Sequence, residues 1–140
     1  MFLTAILVTI TPPAAPLEWY RVASGKQAIV YVARLSTLVS DYRTASVATF
    51  HIKPTAANAS VTLMNQSFRC SKRDVSDMRV TYIDSAGAII ETKDLPLTEP
   101  YRPIAAKSDL DAAIRFVCEG QGGTRVDDVK ADARALMAKR

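Results

Sequence analysis

The stretch that most constrains how this chain can fold spans residues 108–120, Ser-Asp-Leu-Asp-Ala-Ala-Ile-Arg-Phe-Val-Cys-Glu-Gly. Leu110, Ala113, Ile114, Val117 and Cys118 recur at i, i+3, i+4, i+7 and i+8, one apolar face of an α-helix. Ser108 is a natural N-cap, because its hydroxyl accepts from an N–H that the first turn leaves unpaired. Asp109 and Asp111 put negative charge at the positive end of the helix dipole, and Asp111 can pair with Arg115 one turn on. Gly120 supplies the left-handed residue that ends the helix. Phe116 lies off the apolar stripe, so it is expected to be exposed or covered by another part of the chain.

The segments before this helix read as strands. Residues 17–22 alternate, with Leu17, Trp19 and Arg21 on one face and Glu18, Tyr20 and Val22 on the other. A turn at 24–26 leads to a β-branched and aromatic run at 28–34. Residues 42–53 form a long third strand with Tyr42, Ala48, Phe50 and Ile52 on its apolar face, ended by Pro54, which lacks a ladder N–H. Residues 61–70 form a fourth strand and 71–77 a charged turn. Residues 78–84 and 88–93 flank Ser85-Ala86-Gly87 as an antiparallel hairpin. Residues 95–107 are a proline-punctuated loop. The fold class is therefore α+β: an antiparallel sheet of about six strands with a helix packed on one face. After Gln121-Gly122-Gly123, residues 124–140 read as a second, amphipathic helix with Val126, Val129, Ala133, Leu136 and Met137 on one arc. That arc needs a partner. Docking back on the domain, over Phe116, is the expectation; a mobile tail, or a helix that binds another chain or an anionic membrane surface, is the alternative.

With 140 residues and 49% hydrophobic content, the chain is one domain's worth and can bury a core. Residues 1–16 begin with an apolar run and continue into Thr-Pro-Pro-Ala-Ala-Pro, which reads as a secretory signal peptide. No Lys or Arg precedes the run and Pro16 blocks cleavage directly after Ala15; a truncated start or a buried N-terminal strand is the other reading. The run is shorter than the about 20 residues of a membrane span. Two cysteines without a Cys-x-x-Cys spacing suit an oxidising compartment. The expected location is therefore periplasmic or secreted, with the cell surface open.

The formal charge of +4 suits an anionic partner, yet no arginine-rich block or basic–aromatic stripe marks nucleic acid. Catalytic signatures are scarce. His51, the sole histidine, reads as a solvated strand residue; Asp109 and Asp111 are explained by helix dipole compensation, and Ser108 by capping. No His, Asp, Glu and Cys cluster has metal-ligand spacing, and the glycines at 120–123 follow a helix rather than open one, so no cofactor is expected. The chain reads as non-enzymatic, a monomer or dimer.

The order of parts resembles the surface-adhesin protein E-like family of small exported bacterial proteins. The resemblance rests on Glu18-Trp19, on Tyr31-Val-Ala-Arg-Leu-Ser-Thr-Leu38, on Phe68-Arg69-Cys70, on the hairpin from Val80 to Gly87, on Tyr101-Arg-Pro-Ile104, and on Ser108 through Phe116-Val117-Cys118. It covers residues 17–119 and leaves the tail at 121–140 without a counterpart. It implies a disulfide between Cys70 and Cys118 that staples the helix to the sheet, and a module that binds host extracellular proteins or glycans. Tyr101 stands where a Trp is usual and Arg69 where an Asp is commoner. Tyr20, Phe116 and Arg69 are the candidate binding surface: two aromatics and the departing cation. A periplasmic structural or accessory protein is the alternative.

Overall fold

A computed structural model describes residues 16–35, 40–96 and 100–140; the leader expected at 1–16 lies outside them except for Pro16. The elements are β1 (Trp19–Ser24), β2 (Ala28–Arg34), β3 (Tyr42–His51), β4 (Val61–Arg69), β5 (Asp74–Ile83), β6 (Ile89–Asp94), β7 (Arg102–Pro103), α1 (Asp109–Glu119), β8 (Thr124–Val126) and α2 (Val129–Met137). The strands form one antiparallel sheet in the order β6-β5-β4-β3-β2-β1-β8, with β7 also pairing β5. β1 to β6 are an uninterrupted meander, and β8 returns after α1 to close the β1 edge.

Each face of the sheet carries one helix, and β2, apolar on both sides, is buried between them. Val30 and Val32 point to one side and pack with Val47, Phe68, Val75, Ile114 and Val117 under α1. Ile29 and Tyr31 point to the other and pack with Phe50, Leu63, Val129, Ala133 and Met137 under α2. Residues 28–33 are all buried, as a strand must be when both its faces are covered.

α1 is built as its sequence dictates. The Asp111 N–H donates to Ser108 Oγ at 3.1 Å, and Gly120 ends the helix at φ 67°. The disulfide joins Cys70, just past β4, to Cys118 on α1, with Cα atoms 5.7 Å apart and a sequence separation of 48. In the chain-entropy picture such a loop closure constrains the unfolded state by about 4 kcal/mol.

The structure departs from the sequence reading in five places. The strand count is eight, because β7 lies in the proline loop and β8 in the tail. β5 starts at Asp74 rather than 78: Val75 is fully buried opposite Phe68, so only residues 70–73 turn, with Arg73 at φ 52°. Tyr42 does not join the core; it is 47% exposed and meets Tyr101 edge-on, while Ala45 and Val47 from the other face of β3 are buried. The second helix starts at Val129, not 124. Residues 124–126 pair with β1, where Thr124 and Val126 suit a strand, and Asp128 becomes the N-cap by accepting from the Ala131 N–H at 3.0 Å. Finally, α2 docks on its own domain, but on the sheet face opposite α1 and away from Phe116.

Candidate functional site: a groove beside the second helix

α2 is held to the sheet by a polar anchor. Asp132 accepts two hydrogen bonds from Arg21 Nη1, at 2.7 and 2.8 Å, and one from the Tyr31 hydroxyl at 2.7 Å. Burial opposes the Asp132 charge, but the bonds from Tyr31 and Arg21 and the guanidinium charge outweigh it, so the carboxyl titrates below its usual range. Burial, then the bond to Asp132 and its charge, push the Tyr31 phenol well up; the Arg21 charge only partly offsets them. The Tyr31 ring is fully buried, so the triad fastens the helix to the sheet. At the helix end Arg140 donates to Ser24 Oγ at 3.1 Å and to the Gly25 carbonyl.

α2 has nine residues and cannot span the whole sheet face. Beyond its flank the face lies open, and the register makes it graded. Phe50, Val61, Ile83 and Ile89 stand side by side across β3 to β6; one step along come Ala48, Leu63, Thr81 and Thr92; the next row is Ser46, Asn65, Arg79 and Asp94. Apolar side chains thus collect at the end nearest the β3–β4 loop and the β5–β6 turn. There they form a groove of about 680 Å³. Its floor is Phe50, Val61, Leu63 and Ile83, its wall is Val129, Ala133 and Met137, and the turn at 84–87 bounds the far side, with Trp19 also in contact. That size falls in the usual range for ligand pockets, about 300–1,000 Å³. A second cavity of about 160 Å³, lined by Met78, Leu95 and Tyr101 among others, is below it.

The groove's charge is polarised, cationic on the α2 bank and anionic at Asp84 on the other. Lys130 and Arg134, one turn apart on α2, line it and are exposed. Neither side chain has an ion pair or hydrogen bond among the described residues. Asp84 on the opposite bank is occupied: its Oδ1 accepts from the Ala86 and Ala88 N–H groups at 2.9 Å, and this fixes the β5–β6 turn. His51 borders the groove half-buried, with Nε2 2.9 Å from Thr62 Oγ1, and burial lowers its pKa.

The candidate surface residues are placed elsewhere. Phe116 is only 3% exposed. The Tyr20 ring lies 4.8 Å from it, the Arg34 guanidinium sits 4.4 Å above it, and Gly123 leaves room for its edge. Phe116 is covered by these groups rather than by the tail helix. Tyr20 is half-buried against it. Arg69 is in a separate cluster, paired with Asp74 through Nε at 2.7 Å and stacked 4.2 Å over Tyr101. The structure brings Tyr20 and Phe116 together and leaves Arg69 apart from them. Cys70 and Cys118 are joined. The groove itself was not among the sequence-derived sites; its signal was the apolar alternation of β3, β4 and β5 on a face with too little helix to cover it.

Among the described residues no three His, Cys, Asp or Glu side chains are grouped to hold a metal ion, and no helix is long and apolar enough to cross a membrane. Comparisons with protein-family models, with curated proteins and with solved structures gave no match.

Proposed function

We propose that this chain is an exported, non-enzymatic binding module whose binding site is the groove beside α2. The observation that carries the reading is the groove itself: a ligand-sized apolar trough on the sheet face, with cations on one bank that are unpaired among the described residues. The described polar clusters favour binding over chemistry, since Asp132, Asp111 and Asp74 are each engaged by an arginine. The Cys70–Cys118 disulfide supports export, because such bonds persist in oxidising compartments. The resemblance to surface-adhesin protein E-like proteins supports an adhesive role toward extracellular proteins or sulfated glycans, and the net charge of +4 favours acidic ones.

The test uses N-phenyl-1-naphthylamine, an uncharged apolar fluorophore. Saturable binding that Leu63→Glu abolishes, with the melting temperature of the variant held close to the parent's, is the expected result. Immobilised matrix proteins and sulfated glycans then probe the adhesive role at low and high salt, where binding to an acidic partner weakens as salt rises. No saturable binding to fluorophore, protein or glycan would replace this reading with a structural or accessory role.

A further inference from the structure

The cationic bank of the groove specifies more than an apolar ligand. Lys130 and Arg134 share the flank of α2 that borders the trough, and no carboxylate among the described residues neutralises either. The one acid lining the trough, Asp84, has its carboxylate turned into the backbone of its own turn. A ligand lying across Phe50, Leu63 and Ile83 therefore meets apolar surface along its length and positive charge at one end. The volume also limits the class. A trough of about 680 Å³ between a helix and a hairpin turn falls in the range of pockets that hold a single small molecule.

We propose that the groove binds a free long-chain carboxylate, with its hydrocarbon chain on Phe50, Leu63 and Ile83 and its head at Lys130 and Arg134. The inference rests on the groove being the binding site and adds what the site selects. Charge-assisted hydrogen bonds from a guanidinium or ammonium to a carboxylate are about twice as strong as neutral ones. The head thus supplies selectivity while chain burial supplies most of the affinity. Long Lys and Arg stems can also lie along the chain with their heads in water.

Trp19, the only tryptophan in the chain, lines the groove and is a built-in reporter. The full chain is titrated with dodecanoate, 1-dodecanol and dodecyltrimethylammonium, each below its aggregation limit, with Trp19 emission and calorimetry read together. The expected result is one-to-one saturation by dodecanoate, about tenfold or more tighter than the cation. Lys130→Gln with Arg134→Gln removes that preference and leaves dodecanol affinity within about twofold of the parent's. Equal affinity for the three head groups, or a preference that survives the double substitution, overturns the inference while the groove reading stands. Binding of none of the three overturns both. Co-sedimentation with phosphatidylglycerol vesicles, without saturation by free dodecanoate, assigns the cations to a membrane surface and also overturns it.

Discussion

Asp132 is the residue on which the second face of the molecule depends. It joins a strand arginine, a buried tyrosine and a helix in one set of hydrogen bonds. Asp132→Ala leaves the Tyr31 hydroxyl without its acceptor in a buried site, and is expected to cost about 2 kcal/mol in denaturant melts. Because the folded carboxyl titrates below its unfolded value, the unfolded chain takes up the proton first. The Asp132 contribution is therefore complete above about pH 4 and lost as pH falls through the folded pKa. A melt series from pH 7 to pH 2 should show the stabilities of parent and Asp132→Asn converging at the acid end; a constant gap would contradict this. Gly123 is a second point of sensitivity. At φ 83° it leaves space that a Cβ would fill 2.8 Å from the Phe116 ring. Gly123→Ala combines left-handed strain with overpacking, and should destabilise by about 1–3 kcal/mol in the same melts. Neither role was legible in the sequence. A lone Asp in a helix looks like a solvated charge, and a Gly-Gly pair looks like a linker, until the tertiary partner is known.

At the level of elements, the local signals were more reliable than the placement of the tail. The Ser108 cap, the Gly120 stop and the 85–87 hairpin turn depend on residues within a few positions of one another, so they can be read directly. The tail's apolar arc showed that a helix must dock, yet a one-sided stripe does not say which sheet face receives it. Phe50, Ile52 and Leu63 on the far face outcompeted Phe116, which Tyr20 and Arg34 had already covered. β8 was missed because its three residues gain their order from the free edge of β1, not from their own pattern. Amide exchange follows directly. Protection at Ala133 and Leu136 in dilute protein should persist in Phe116→Leu and fall in Asp132→Ala; the opposite ranking would place α2 against α1.

For the molecule as a whole, two helices on opposite faces divide the work. α1 carries the disulfide and closes one core; α2 covers part of the other face and leaves the rest as a groove. Cys118→Ser should lower the melting temperature by many degrees, because about 4 kcal/mol is a large share of the roughly 5–15 kcal/mol that holds such a domain, and the groove should remain intact below that temperature. The six-strand expectation and the α1 staple carried most of this architecture. The groove did not follow from them, because it arises where the coverage of one face runs out. Its role as the binding site is tested most directly by amide chemical-shift mapping with saturating N-phenyl-1-naphthylamine. Perturbations gathered at Phe50, Leu63, Ile83 and Ala133 are the predicted result, and perturbations gathered instead around Tyr20 or Arg69 would contradict it.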